Sequence, residues 1–242
     1  MAFGKLPGQR AARRKCRTGA ADHSTYASNV YVPAHFAPPD EEAVRDLLRH
    51  HGAADLVTNT ADGLLATMLP FIYDENDDGG RRLLGHLARN NDQWRTPAVG
   101  ESLVIVRGPD AYISPAWYPS KREHGRVVPT WNYVTAHVYG DLVIHDDPVW
   151  VEALVRRLTG KHEGRRDEPW AVDDMPPAFL TGQLRAIVGV ELLVSRVEAK
   201  FKLSQNRPEA DQAGVLAGLD AEGDHAGREV ASEMRARSAS SP

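Results

Sequence analysis

Apolar and polar residues alternate along most of the chain, and this period of two predicts β-strands. The clearest example lies near the C-terminal end, where apolar and charged residues alternate from Arg196 to Leu203. Asp62-Gly63 stands between two apolar runs and predicts a hairpin, and Gly108-Pro109-Asp110 predicts a second turn. The pattern predicts strands at 55–60, 64–72, 81–87, 102–107, 111–114, 130–144 and 187–203.

Three other segments have the apolar spacing of amphipathic helices. The first begins after Asp40, whose carboxylate can cap it, and ends at Gly52. The second begins at Asp147-Pro148, an acceptor followed by proline at the first helical position, and ends at Gly160. A shorter helix is predicted at 177–184. Six or seven sequential strands with three helices predict a β-rich α+β fold, an antiparallel closed or split β-barrel with peripheral helices.

Charge divides the chain into three parts. Residues 1–29 carry a net charge of +5 and no apolar periodicity, which predicts a disordered basic extension. Residues 30–219 read as one domain with a net charge of −7, and residues 220–242 read as a flexible tail with −2. Because sequence-independent DNA binding needs clustered Lys and Arg, the domain itself is a poor candidate for it. The basic extension is the better candidate.

Several common sites are excluded by the residues available. Cys16 is the only cysteine, so an intrachain disulfide or a Cys-based metal site cannot form. The ten histidines lack HExxH spacing, and no metal site is predicted. There is no glycine-rich phosphate loop and no nucleophile elbow. No apolar run reaches the roughly 20 residues that span a bilayer, so a soluble protein is expected. The single cysteine and the lack of an apolar export signal predict the reducing cytoplasm.

An aromatic segment, Tyr112 to Tyr133, is the most distinctive part of the sequence. It contains five Tyr and Trp residues within 22 positions, although aromatics make up only 7% of the chain. Prolines stiffen it, and Lys121, Arg122 and Arg126 make it locally basic. Stiff aromatics beside cations suit a flat anionic ligand. Packing of the segment on the barrel or on a partner subunit is an equally good interpretation.

Two polar clusters follow predicted strands. In the first, His86 to Trp94, Arg89 can donate paired hydrogen bonds to a phosphate, and Asn side chains can add more. A solvated turn is the alternative. The second cluster, Lys200 to Arg207, can close a site or simply solvate the end of a strand.

Together these clusters resemble the PaiB family of FMN-binding negative transcriptional regulators. The resemblance runs from residue 31 to about residue 218, and several motifs in one order make it specific. The matching motifs are Tyr31-Val-Pro-Ala-His-Phe, Leu69-Pro-Phe, the His86 to Trp94 cluster, Gly108-Pro-Asp-Ala-Tyr-Ile-Ser-Pro, Val128-Pro-Thr-Trp-Asn-Tyr, Pro169-Trp-Ala-Val and Lys202-Leu-Ser-Gln-Asn-Arg.

The resemblance implies a split barrel of the pyridoxamine-phosphate-oxidase type, a homodimer with FMN between its subunits, and repression of transcription. DNA is then a possible partner, although the charge of the domain does not support it. By position, the resemblance also implies nine cofactor-binding residues: Thr67, Met68, His86, Ala88, Arg89, Asn91, Trp117, Trp131 and Asn132.

The chain departs from the family pattern at the strand expected to flank the flavin. Met68 stands where histidine is expected, Thr67 where asparagine is expected, and Phe201 where tryptophan is expected. Two alternatives therefore remain beside an FMN-binding regulator. One is a flavin-dependent oxidoreductase acting on a small molecule, although no acid–base pair stands out and no catalytic residue is assigned. The other is a protein that has lost the flavin and kept the fold.

Overall fold

The computed structural model describes residues 30–76 and 79–239, so the predicted disordered extension, residues 1–29, lies outside the described residues. The strands are β1 (Ala53–Thr60), β2 (Gly63–Pro70), β3 (Ile72–Glu75), β4 (Arg81–Ala88), β5 (Ser102–Ile113), β6 (Thr130–His145) and β7 (Ile187–Lys202). The helices are α1 (Glu41–His50), α2 (Ser120–Glu123), α3 (Pro148–Glu163), α4 (Pro177–Arg185), α5 (Glu209–Glu222) and α6 (His225–Ala239). Short 3-10 helices lie at Ala34–Phe36, Asp92–Trp94, Pro115–Trp117 and Val172–Asp174.

All seven strands form one antiparallel sheet in the order β2-β1-β5-β6-β7-β4-β3. The sheet curls until β2 meets β4, where side chains rather than backbone hydrogen bonds close it. Gly85 makes this approach possible, because a Cβ there would lie 2.9 Å from Leu69 Cδ1 and 3.0 Å from Phe71 Cδ1. The barrel is therefore split between β2 and β4, which confirms the predicted fold class.

The core fills the barrel with the inward side chains of each strand. Leu56, Val104 and Val138 lie on neighbouring strands and are fully buried. A second hydrophobic cluster packs α3 against the outside of β3 and β4; it contains Ile72, Leu84, Leu154 and Leu158. The predicted caps are present: Asp40 accepts a hydrogen bond from Ala43 N, and Asp147 accepts one from Val149 N.

Residues 108–110 differ from the predicted turn. The structure continues β5 through them, with a shift in register between Arg107 and Asp110. Arg107 pairs with Thr135 and Asp110 with Tyr133, so two residues of β5 oppose one residue of β6. This is a β-bulge, which bends a strand without ending it.

The C-terminal residues also differ from the expected flexible tail. They form α6, which packs on α5 and β5. Val230 and Ala231 are fully buried, and Met234 is 4% exposed. The apolar spacing of this helix is short and interrupted by charges, which is why the sequence predicts only a flexible tail there, a frayed helix or coil.

His51, directly after α1, is a buried imidazole that folding keeps neutral. Its side chain is 5% exposed, Nδ1 lies 2.5 Å from Leu48 O, and Lys161 donates a hydrogen bond to the His51 carbonyl. Burial first, and the Lys161 charge second, lower the pKa of His51 to about 4. Because the folded pKa lies below the unfolded one, protonation favours the unfolded chain.

We therefore expect stability to fall as the pH drops from about 6.5 towards 4, by about 3 kcal/mol from His51 alone. Urea unfolding from pH 7.5 to pH 4 measures the loss. Carboxylates with lowered pKa values also contribute at the acid end, so His51→Asn is the reference. It can still donate to Leu48 O but does not titrate. Parallel pH curves for the two proteins would show that His51 is not responsible.

Within the described ranges, no helix is long and apolar enough to cross a membrane. No group of three or more His, Cys, Asp or Glu side chains in the same ranges is arranged to hold a metal ion.

Candidate functional site

The candidate site lies at the split of the barrel, where the free edges of β2 and β4 face each other. Among the described strands, β2 pairs with β1 alone, and β4 beyond Leu84 pairs with β7 alone. The 3-10 helix Asp92–Trp94 follows β4 and inserts Gln93, 3% exposed, into this end of the barrel. We call this region the barrel mouth, lined by Thr67, Asn91 and Gln93.

Thr67 and Asn91, both predicted site residues, are brought together at the barrel mouth. The Thr67 hydroxyl donates to Gln93 Oε1 at 2.6 Å and accepts from Asn91 Nδ2 at 2.9 Å. Asn91 Oδ1 accepts from Gln93 N at 2.9 Å and so caps the 3-10 helix. Gln93 Nε2 contacts Thr58 Oγ1 at 3.0 Å and the carbonyl oxygen of Leu56 at 3.2 Å. Both predicted residues are half-buried, so a ligand at the mouth can reach them.

Arg89, the predicted phosphate partner, lies beside the mouth with its hydrogen bonds already in use. Its guanidinium forms a paired contact with Asp146 at 2.5 and 3.1 Å, and Nε donates to Arg185 O at 2.6 Å. A further bond reaches Ile187 O at 3.2 Å. The hydrogen bonds from Arg89, and then its charge, lower the pKa of Asp146. Arg89 therefore joins the end of β4 to the connection between α4 and β7.

The other predicted residues on β2 and β4 point away from the barrel interior. Met68 is on the outer face of β2 and is 69% exposed. Ala88 is exposed at the end of β4. His86 is half-buried, and burial lowers its pKa, so the ring is neutral near pH 7. Its Nδ1 is buried and has no hydrogen-bond partner among the described residues. Such an atom calls for a partner that these residues do not provide.

The aromatic segment divides between two roles. Trp131 is 47% exposed on the outer face of β6, donates to Asp110 at 2.8 Å and meets Tyr112 edge-on at 6.1 Å. Trp117 instead packs against α5, where its ring lies over Gly218. Trp131 can thus stack on a ligand or partner, whereas Trp117 fastens the segment to the protein.

Asn132 differs most from its expected role. It is fully buried and exchanges hydrogen bonds with Ser204, at 3.0 and 3.1 Å, rather than facing solvent. Ser204 holds a left-handed backbone conformation, with φ of 66°. The pair connects the start of β6 to the end of β7, so any contribution of Asn132 to cofactor binding is indirect.

Three cations lie together near Trp131, and the sequence alone does not assign them to a ligand. Lys200 and Lys202 lie at the end of β7 and Arg207 follows five residues later, and none of the three forms an ion pair with a carboxylate in the described ranges. Lys202 donates to Trp131 O at 2.6 Å. Burial, together with the charges of Lys200 and Arg207, lowers the pKa of Lys202. We call these three residues the cationic cluster. The alternation of charged residues along β7 already placed Lys200 and Lys202 on one face.

The chemical character of these side chains fits FMN. The cationic cluster suits a phosphate, the exposed Trp131 suits a flat ring, and the polar pair Thr67 and Asn91 suits the heteroatoms of that ring. When bound, FMN supplies a redox-active isoalloxazine ring.

The fold and these groups define an FMN-binding split barrel, and comparison with known proteins agrees. The family described as "Putative FMN-binding domain" matches residues 30–196, and the chain belongs to this family. The predicted cofactor, FMN, is confirmed. The chain is 35% identical to protease synthase and sporulation protein PAI 2 of Bacillus subtilis, over 85% of this chain and 96% of that protein, which confirms the predicted PaiB resemblance.

Two further proteins extend the comparison. An uncharacterised protein of Emericella nidulans is 28% identical over 86% of this chain and 97% of its own length. Among solved structures, the flavocytochrome Anf3 from Azotobacter vinelandii matches with a TM-score of 0.54 and 15% identity. That match covers 77% of this chain and 80% of Anf3. At this identity the likeness is one of fold.

Proposed function

We propose that this chain is a cytoplasmic homodimer that binds one FMN at each of two equivalent sites between its protomers and acts in the regulation of gene expression. The observation that carries the proposal is the position of the two ligand-binding surfaces. The barrel mouth is at β2, and Trp131 is on β6. Two strands separate β2 from β6 in either direction around the barrel, β1 and β5 or β7 and β4. One protomer therefore presents the two surfaces on opposite sides.

An uncovered apolar face supports the dimer. The outward residues of β1, β2 and the first part of β5 are adjacent in register. Helices of the described chain pack on β3 to β7, including α6 and α1 on β5, and leave β1 and β2 largely uncovered. We call this surface the apolar sheet face; its apolar members are Val57, Ala66, Met68, Leu103 and Ile105. Asp55, which is paired with Arg107, lies between Met68 and Ile105. An exposed surface that is mostly apolar and holds its one carboxylate in an ion pair is typical of an interface. A second copy related by a two-fold axis covers both faces at once.

In the proposed dimer, the barrel mouth of one protomer and the aromatic segment of the other enclose the flavin. Thr67 and Asn91 orient the ring from one side. Trp131 of the partner subunit stacks or shields it from the other side. The cationic cluster neutralises the phosphate, which carries roughly −1.5 to −2 charges by analogy with other phosphate monoesters.

The proposed cofactor and assembly are tested together on freshly purified full-length protein. We expect a yellow protein whose released chromophore is FMN by chromatography and mass spectrometry, and a dimer mass by sedimentation. Apoprotein should regain the spectrum on addition of FMN. A colourless protein that does not take up FMN contradicts the cofactor assignment. A monomer that nevertheless holds FMN tightly contradicts the shared site.

The regulatory part of the proposal rests on resemblance to the PaiB family and on the name of its relative in Bacillus subtilis, protease synthase and sporulation protein PAI 2. Because residues 30–219 carry a net charge of −7, we assign DNA contact to the basic residues 1–29. A gel-shift series at several salt concentrations, with and without residues 1–29, tests this assignment. We expect a salt-sensitive, sequence-selective shift that requires those residues. No shift in either form contradicts direct DNA binding.

A further inference from the structure

We propose that Thr67 and Asn91 read the imide edge of the isoalloxazine ring, with Thr67 accepting a hydrogen bond from N3–H and Asn91 donating one to an adjacent carbonyl oxygen. This inference rests on the proposed FMN-binding function and adds which part of FMN the barrel mouth recognises. It also assigns Thr67 and Asn91 to the flavin ring rather than to the phosphate, which the sequence placed near the His86 to Trp94 cluster.

Gln93 fixes the direction of the Thr67 hydroxyl. Gln93 Nε2 lies against main-chain carbonyl oxygens, Leu56 O at 3.2 Å and Leu65 O at 3.4 Å. Because a carbonyl oxygen can only accept, this end of the side chain must be the NH₂ group and the other end must be the oxygen. Gln93 Oε1 can only accept as well, so the Thr67 hydroxyl proton points inward to it, over 2.6 Å.

The main chain fixes Asn91 in the same way. Asn91 Oδ1 accepts from the backbone N–H of Gln93 at 2.9 Å, so the other end of its amide is the NH₂ group. One of its two protons goes to Thr67 Oγ1 at 2.9 Å. Neither amide can be reversed without placing two donors or two acceptors face to face.

The remaining capacity of the two side chains defines the ligand. A threonine hydroxyl has one proton and two lone pairs, so Thr67 keeps one lone pair and no proton. Asn91 keeps one N–H. A half-buried lone pair repels an anionic oxygen and therefore disfavours a phosphate beside Thr67. An acceptor and a donor side by side match a ring N–H next to a carbonyl, and FMN offers this pattern at N3.

The test compares FMN with 3-methyl-FMN, which lacks the N3 proton. Kd values come from quenching of flavin fluorescence in apoprotein titrations. We expect the unmodified protein to bind 3-methyl-FMN about three- to tenfold more weakly than FMN, the effect of one hydrogen bond. In Thr67→Val, which keeps the volume but removes the lone pair, FMN should bind as weakly as 3-methyl-FMN does. Thr67→Ser should restore the preference.

Thr181→Val is the matched control, since it removes a threonine hydroxyl that donates to Pro177 O on α4, outside the barrel mouth. It should keep the full preference for FMN. Equal binding of both flavins by the unmodified protein contradicts the proposal. An undiminished preference in Thr67→Val also contradicts it, because a methyl clash would then explain the preference. Failure to bind any flavin is a different result and contradicts the proposed function itself.

A second measurement needs no variant. If Thr67 accepts from N3–H, deprotonation of N3 in the holoprotein should occur at higher pH than in free FMN, since the lone pair stabilises the neutral ring and repels the anion. Titration of the visible spectrum of bound FMN reports this shift. An unchanged or lowered N3 pKa contradicts the assignment.

Discussion

Leu103→Glu is expected to convert the dimer into a monomer and to weaken FMN binding with it. Leu103 lies in the apolar sheet face, between Val57 of β1 and Tyr139 of β6, and is half-buried in the protomer. In the proposed dimer a glutamate there would be buried, and Arg196, which lies over the Tyr139 ring, is already paired with Glu101. Burying an unpaired charge costs several kcal/mol, and each 1.4 kcal/mol is tenfold, so the dimer dissociation constant should rise by roughly 100-fold or more.

Sedimentation over a range of protein concentrations measures the assembly, and fluorescence titration measures FMN affinity on the same samples. Val149→Glu is the matched control, because Val149 is 75% exposed on α3 and lies outside the apolar sheet face. It should remain a dimer with normal FMN affinity. If Leu103→Glu folds, stays dimeric and binds FMN normally, the interface lies elsewhere. If it becomes a monomer that still binds FMN tightly, the flavin is not shared between protomers.

The features that the sequence predicts well are local ones. Asp40 and the Asp147-Pro148 pair begin helices because caps act on the next three residues, and both caps are present. The alternation along β7 places Phe201 and Leu203 in the core because side-chain direction follows directly from strand geometry. The fold class follows from these elements and their order.

The features that the sequence misses depend on residues far apart in the chain. Residues 108–110 look like a turn, and only pairing with β6 makes them a bulge. Residues 225–239 lack a clear helical stripe, yet α5 and β5 provide a surface that buries Val230 and Met234. Propensity is a weak guide where tertiary packing decides.

The same distinction applies to the candidate site. The motifs containing Arg89 and Asn132 identify the family correctly, but motif membership does not give each residue a role. Asp146, 57 positions from Arg89, forms an ion pair with its guanidinium. Ser204, 72 positions from Asn132, forms hydrogen bonds with its side-chain amide. The sequence does not assign Gln93 a role of its own within its motif. Its importance follows from its hydrogen bonds to β1 and β2. Long-range hydrogen bonds of this kind leave no local pattern in a single sequence.

Gly218→Ala is expected to destabilise the protein by about 3 kcal/mol, although alanine normally favours a helix. Gly218 lies in α5, where a Cβ would stand 2.2 Å from Trp117 Cδ2 and 2.5 Å from two other atoms of the ring. The indole cannot move aside as the end of a flexible side chain would, because the main chain of Trp117 also packs closely on α5. A Cβ at Gly214 of α5 would lie 2.1 Å from the Trp117 carbonyl oxygen. The methyl group must therefore push α5 away from the aromatic segment.

Urea unfolding followed by far-UV circular dichroism measures the change, with Gly160→Ala as the matched control. Gly160 is also helical, but a Cβ there meets nothing within 4 Å, so alanine should stabilise α3 by up to about 1 kcal/mol. The two substitutions are chemically identical and differ only in what surrounds them. In a Trp117→Ala background, Gly218→Ala should lose most of its cost, because the atoms that it meets are gone. An equal cost in both backgrounds would mean that Trp117 does not hold α5, and Trp117 would then be available for the cofactor-binding role that the family resemblance implies.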